Sequence, residues 1–307
     1  MGCSTLLGDE RDGAADGDAA EDTAGDGDAG VEAGDDADAD PDADADPDAD
    51  DGRDADADEA EDASDSGAHC PGAPVPIVAY DFDVGLTARD VAPAEPTVDL
   101  EPAYLETGGA LVGDGVALMW GGQLAASPAQ GRALGRALHE AEGFAVEAWV
   151  ETDDGVQTGP ARIVTYSADP QHAGFTLGQR EDRVSVRLHT SITNEWGGLA
   201  SGDVHQHEGV FPTVGPTQIV LVWDGPSHRS TLYVNGINVG EQVHEDPEAG
   251  PAGLVWELDQ YRFGLGREFA AAADSPRAWH GTILSVAAYD RALDDDEVWQ
   301  LQTCGAR

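Results

Sequence analysis

Residues 218–236 read Gln-Ile-Val-Leu-Val-Trp-Asp-Gly-Pro-Ser-His-Arg-Ser-Thr-Leu-Tyr-Val-Asn-Gly. Residues 219–223 are a β-branched and aromatic run, residues 224–227 (Asp-Gly-Pro-Ser) carry turn chemistry, and residues 231–234 resume the strand pattern before Asn235-Gly236. Asn-Gly after a strand is a strong hairpin signal, because both positions tolerate positive φ. Two turns in one stretch predict an antiparallel meander. Such a meander must bury one face, so the rest of the chain is expected to supply a second sheet that covers it.

The 307 residues contain 61 acids and 15 bases, and all 15 bases are arginine. Residues 1–70 hold 27 acids and two arginines, a net of −25, which leaves −21 of the total −46 for residues 71–307. Both regions repel phosphate backbones and anionic lipid, which argues against nucleic-acid partners and against direct membrane adsorption. Residues 8–69 are almost entirely Asp, Ala, Gly, Glu and Pro, with Ala-Asp-Pro-Asp repeating around Pro41 and Pro47. This segment has nothing to bury and repels itself, so residues 1–69 are expected to be a disordered acidic tether, followed by one folded domain over 70–307. Its aspartates do not form an EF-hand loop: Pro47 and Ala49 stand where acids would be needed before Gly52.

The three cysteines are Cys3, Cys70 and Cys304. Cys70 and Cys304 bracket the region capable of folding, and they are read as one disulfide; the alternative is a pair of free thiols in a reducing compartment. Closing so long a loop is worth up to roughly 5 kcal/mol in the chain-entropy model, and it implies an oxidising compartment. Met1-Gly2-Cys3-Ser4 resembles the end of a bacterial lipoprotein signal, which makes Cys3 the expected lipidation site and the only expected membrane attachment; no apolar run precedes it, so either the start lies upstream of Met1 or the resemblance is accidental. Leu6 departs from the myristoylation pattern.

Beyond Cys70, strands are expected over 77–82, 97–105, 110–112, 116–120, 144–150, 162–166, 174–179, 184–189, 261–265 and 282–289, in addition to the meander. One helix is predicted over 128–142, with Ala133, Leu134, Ala137, Leu138 and Ala141 at helical spacing and Gly143 ending it, and a second over 294–301 with Asp294 as N-cap. Residues 190–209 read as a long Gly-rich loop. The expected fold class is therefore an all-β, two-sheet antiparallel sandwich with one or two short helices.

Five segments carry a family resemblance: Phe-Ala-Val-Glu-Ala-Trp-Val (144–150), Arg-Ile-Val-Thr-Tyr-Ser-Ala-Asp (162–169), Phe-Thr-Leu-Gly-Gln (175–179), Leu-Tyr-Val-Asn-Gly (232–236) and Ala-Ala-Tyr-Asp-Arg-Ala-Leu-Asp (287–294). In this order they resemble laminin G-like domains of the concanavalin A-like lectin/glucanase superfamily. The resemblance spans residues 77–302 and implies a jelly roll whose chain ends lie close together, in keeping with the Cys70–Cys304 reading. With its tether, the chain resembles the surface lipoproteins of GC-rich environmental bacteria such as myxobacteria. The family hosts lectins, adhesion modules, hydrolases and lyases, so it does not decide the function.

Glycoside hydrolysis needs two suitably spaced carboxylates. The superfamily's retaining glucanases carry Glu-x-Asp-x-Glu on one strand; here Glu257 and Asp259 fit, but Tyr261 stands where the acid/base belongs. His205 and His207 share a strand face as a candidate metal pair, without an evident third ligand. Calcium at a sandwich rim is the cofactor the resemblance implies, and Asp169, Asp203 and Asp224 are loop acids, though none falls in a transferable motif. No Ser/His/Asp arrangement or Gly-x-Ser-x-Gly is legible. For carbohydrate stacking, Trp196 is the leading candidate, with Asn194 and Glu195 available to hydroxyls and neighbouring glycines keeping the ring accessible. Trp149 and Trp223 are expected in the core. The expectation is a monomeric, non-catalytic recognition or adhesion module with a glycan or extracellular protein ligand, exported to the bacterial surface or outer membrane; a divergent carbohydrate-active enzyme and a purely structural domain are the alternatives.

Overall fold

The computed structural model describes residues 71–82, 88–104, 109–153, 155, 157–199, 202–211, 215–246, 250–251, 253–271 and 275–306. The expected tether, Cys3 and Cys70 lie outside these residues. In chain order the described elements are β1 (Val78–Asp81), β2 (Arg89–Asp90), β3 (Leu100–Tyr104), β4 (Gly109–Gly113), β5 (Val116–Trp120), β6 (Gln123–Ala126), α1 (Pro128–Glu140), β7 (Gly143–Thr152), β8 (Gln157–Asp169) and β9 (His172–Glu181). There follow β10 (Arg183–Leu188), β11 (His205–His207), β12 (Thr217–Asp224), β13 (Arg229–Val234), β14 (Ile237–Val243), β15 (Glu245–Asp246), β16 (Gly250–Pro251), β17 (Arg262–Leu265), β18 (His280–Tyr289) and α2 (Asp295–Cys304).

Among the described residues two large antiparallel sheets result, with β15 and β16 pairing apart from them. One runs β14-β13-β12-β7-β18-β1-β2, with β5 also pairing β18 and β4 pairing β5; the other runs β11-β10-β9-β8-β17-β6-β3. Period-two alternation decides what lies between them. Phe144, Val146, Ala148 and Val150 of β7, with Ile219, Leu221 and Trp223 of β12, form one inner face, and Phe175, Leu177, Val184, Val186 and Leu188 form part of the other. The Phe144 and Phe175 rings meet across the interior at 5.7 Å. Trp256 closes this end, 5.4 Å from both Phe144 and Tyr166, with its indole N–H donating to the His189 carbonyl at 3.1 Å. Each such large apolar side chain contributes about 1.5–3 kcal/mol on burial.

The opening meander forms as its sequence demands. Asn235 and Gly236 have φ of 50° and 74°, and the Asn235 side chain accepts from the Gln218 N–H at 2.9 Å, tying the turn to the start of β12. Trp223 is in the core, as expected. Trp149 is buried on the opposite face of its sheet, where Glu147 accepts hydrogen bonds from its indole (2.9 Å), from Gln218 (2.7 Å) and from the Tyr289 hydroxyl (2.9 Å). Val298 and Leu301 of α2 cover the remaining apolar patch of that face, around Ala145, Val220, Val222 and Tyr233. A capping box between Asp294 and Glu297 starts α2, and Gln300 donates to the Pro71 carbonyl at 2.9 Å, so the first described residues lie against the last helix.

Several expectations are corrected. Helix α1 stops at Glu140, and Gly143 opens β7 instead of capping the helix. The buried face of α1 is Gly131, Leu134, Gly135 and Leu138, whereas Ala133 is exposed: the glycines let the helix backbone approach β8 and β17 more closely than alanines allow. Residues 257–261 are a turn and no strand, closed by Gln260 N–H donating to the Glu257 carbonyl at 2.9 Å. Strand β11 interrupts the 190–209 loop, and β6 was not anticipated, whereas β14 is the third strand that the Asn235-Gly236 turn of the meander implies.

Candidate functional site

Strand β10 reads Arg-Val-Ser-Val-Arg-Leu. Its valines and leucine point into the sandwich, so Ser185 and Arg187 must point to the other face of the sheet. Registry extends that face sideways: Thr165 of β8 opposes Thr176 of β9, which opposes Arg187; Arg162 opposes Gly178, which opposes Ser185. The outer face of this sheet is thus a block of hydroxyls and guanidinium groups, nearly all of it buried.

Two carboxylates serve the block. Arg162 and Glu268 form an ion pair at 2.7 Å with both side chains fully buried, and Glu268 also accepts from Thr165 (3.0 Å) and Ser167 (2.5 Å). Asp203 accepts from Arg187 at 2.7 Å, from Ser185 at 2.6 Å and from Gln206 at 3.1 Å, with Arg180 at 3.4 Å. Burial pushes the Asp203 carboxyl upward, but the charge of Arg187 and the hydrogen bonds from Ser185 and Arg187 outweigh it and hold the group below its usual range. Burial, aided by the charge of Arg162, pulls Arg187 down to about 10. Arg277 is lowered as well, by burial first and then by Arg162.

Trp196 belongs to this site. Residues 190–199, which follow β10, place the Arg187 guanidinium carbon 4.4 Å from the Trp196 ring centroid, a cation–π geometry. Asn194 instead shapes the loop, accepting from the Gly198 N–H at 2.9 Å. Glu195 is exposed and faces His172 at 3.4 Å.

The other candidates do not assemble. Asp169 accepts from His172 Nδ1 at 2.9 Å, and this hydrogen bond is the main reason the imidazole is shifted upward. Asp224 accepts from the Ser227 hydroxyl at 2.5 Å, far in sequence from the Asp203 ion pair. Among the described residues no group of three or more His, Cys, Asp or Glu side chains converges as a metal site. His205 points inward to the Ser230 hydroxyl at 2.8 Å. An open cleft of about 340 Å³ at the sandwich end is lined by His139, Glu142, Trp223, Pro226 and His228, but Trp223 is buried there and no arginine or carboxylate pair faces it.

Sequence reasoning missed Arg162, Arg187, Thr165, Thr176 and Glu268. The signal available was the polar half of the alternation in β8 and β10, which marks a second buried face.

Residues 127–299 match a laminin G-type family model described as the concanavalin A-like lectin/glucanases superfamily. The chain belongs to this superfamily. No curated protein matched its sequence. Among solved structures, the binding domain of botulinum neurotoxin serotype D is similar at a TM-score of 0.50 and 9% identity, covering 75% of this chain and 52% of that one. A Trypanosoma rangeli sialidase in complex with sialic acid matches at a TM-score of 0.48 and 15% identity, covering 74% and 32%. The binding domain of botulinum neurotoxin DC in complex with rat synaptotagmin II matches at 0.49 and 11%, covering 75% and 51%. The chain spans about half the length of the neurotoxin chains and a third of the sialidase chain. At these identities the likeness is one of fold.

Proposed function

We propose that this domain is a non-catalytic recognition module whose ligand, a glycan, docks on Trp196 and on the partly exposed rim of the adjoining polar face, at Arg180 and Arg277. The observation that carries this reading is the placement of Trp196 over Arg187, which sets an amphipathic ring beside a face rich in hydrogen-bonding groups. Ring stacking plus a few oriented polar groups is the chemistry that recognises sugars. Display on a bacterial surface, through an acidic segment at residues 1–69 and a lipid at Cys3, completes the proposal, with the domain acting as a monomer closed by a Cys70–Cys304 disulfide.

A hydrolase reading draws on the two carboxylates of that face. Both are occupied as counterions: Glu268 by Arg162 and two hydroxyls, Asp203 by Arg187 and Ser185. A general acid must hold a proton near neutral pH, whereas Asp203 is held ionised. The Glu257 and Asp259 pair lies on a turn.

The test is retention of the full-length protein on a glycan array. Retention that falls at least tenfold for Trp196→Ala supports the module. Protein ligands become the better reading if no glycan retains the wild type, and release of reducing ends from a polysaccharide panel by the wild type overturns the non-catalytic assignment.

A further inference from the structure

The polar face carries more positive charge than its own acids neutralise. Among the described residues, the four arginines Arg162, Arg180, Arg187 and Arg277 interact with one another and with two carboxylates, Asp203 and Glu268. This local excess sits in a domain region whose net charge is −21. It is also incompletely satisfied: Arg162 Nη1 and Nη2, Arg277 Nη1 and Thr176 Oγ1 are buried without a hydrogen-bond partner among the described residues. Donors on a buried cation are costly to leave unpaired, so sites of this kind are ordinarily completed by an acceptor.

Geometry says why the donors gather there. Gly178 has no side chain, and the Arg162 guanidinium lies over it: a Cβ at position 178 would stand 3.6 Å from Arg162 Nη1. Arg162 spends its Nε on Glu268, leaving both terminal nitrogens for another group. Arg277 is brought alongside by backbone pairing, its carbonyl accepting from the Arg162 N–H at 3.2 Å. Arg180 and Arg277 keep 33% and 24% of their side chains exposed, so they are the members that an incoming ligand meets first.

Resting on the glycan reading above, we propose that this face selects an acidic saccharide, binding one sugar oxyanion (a uronate carboxylate or a sulfate ester) through Arg277 and Arg180, with Arg162 and Thr176 behind them. Guanidinium groups bind such oxygens in charge-assisted pairs, about twice as strong as neutral hydrogen bonds. The long-range repulsion of a region at −21 disfavours long, densely charged polyanions, so the ligand is a short acidic saccharide and no nucleic acid.

Calorimetric titration of the full-length protein tests this with trigalacturonate, its methyl ester and a monosulfated trisaccharide. Trigalacturonate or the sulfated sugar is expected to bind at least tenfold more tightly than the uncharged ester, and the stronger of the two identifies the oxyanion. Arg277→Gln and Arg180→Gln, at partly exposed positions, are each expected to lose about tenfold toward the acidic sugar with an unchanged unfolding midpoint; Arg180→Gln serves alone if Arg277→Gln fails to fold. Equal binding of ester and acid, still abolished by Trp196→Ala, overturns the acidic preference and leaves the glycan module standing. Absence of binding by all three, joined to a blank glycan array, removes both.

Discussion

Arg162 and Glu268 stand 106 residues apart in sequence and 2.7 Å apart in the fold, both wholly buried. Taking two such charges out of water costs several kcal/mol each, and the pair is tolerated because Thr165 and Ser167 also hydrogen-bond the carboxylate. Removing one partner leaves the other charge buried and uncompensated. Glu268→Ala is therefore expected to destabilise the domain by about 3–5 kcal/mol, read as a lower midpoint in urea unfolding. A loss under about 1 kcal/mol would show that the guanidinium finds water or another partner, and that this face is more open than described.

Gly135 in α1 gives a prediction whose sign is decided by packing. Within an exposed helix, glycine to alanine gains close to 1 kcal/mol. Here a Cβ would stand 1.7 Å from the Tyr166 hydroxyl oxygen. Overpacking of this kind costs about 1–3 kcal/mol, so Gly135→Ala is expected to destabilise on balance. Ala133, one position before Leu134 and exposed, supplies the control: Ala133→Gly is expected to cost only the helix propensity, about 1 kcal/mol. Thermal unfolding of the two variants side by side separates the terms.

The same residues show where sequence reading succeeds and where it stops. Strands β7, β12 and β13 were legible because Phe144, Val146, Ala148 and Val150 alternate cleanly and because Asn235-Gly236 can take its two positive φ angles. Strand β6 was not: Gln-Leu-Ala-Ala has no period, and its four residues are buried on both faces. Strand β14 was legible only through the Asn235-Gly236 turn before it, since it is a largely polar edge with Asn238 and Gly240, and polar edges carry little hydrophobic signal. On α1, helical spacing of alanines pointed to Ala133 because a glycine counts as no signal, although Gly131 and Gly135 form the contact. At the site, Trp196 was legible as an aromatic among glycines, but the polar groups of the adjoining face come from β8, β9, β10 and the loops that hold Asp203 and Glu268. Their convergence is a property of strand registry, which no local pattern encodes.

The proposed Cys70–Cys304 disulfide has a geometric argument. Gln300 donates to the carbonyl of Pro71, the residue after Cys70, and Cys304 lies four positions beyond Gln300, hence one turn along the same helix face. Alkylation of the unfolded, unreduced protein followed by mass spectrometry is expected to leave both cysteines unmodified. Reduction is then expected to cost about 2–5 kcal/mol of stability. Alkylation at both positions without reductant sinks the pairing.

Acid sensitivity follows from two histidines that join the sheets at their edge. Ser230 of β13 lies between His205 of β11 and His244, with 2.8 Å to each imidazole, and His244 reaches the Thr190 hydroxyl at 3.2 Å while its ring meets Trp223 edge-on at 5.2 Å. Burial lowers both to about 4; His205 is lowered further by His244, and His244 by His228. Both folded values lie below the ordinary 6.5 of an unfolded histidine. Above pH 6.5 neither state holds these protons and stability is unaffected. As pH falls from 6.5 toward 4 the unfolded chain binds protons that the folded chain refuses, so stability is lost across that window and the loss levels off below it. Each histidine contributes on the order of 3 kcal/mol to the loss, since one pKa unit corresponds to about 1.4 kcal/mol. Urea midpoints measured between pH 7 and pH 4 are expected to fall steeply in the wild type. The double variant His205→Gln, His244→Gln, which cannot take up either proton, is expected to start less stable at pH 7 and to show a shallower decline. Parallel slopes for the two proteins would assign the acid response to the carboxylates instead.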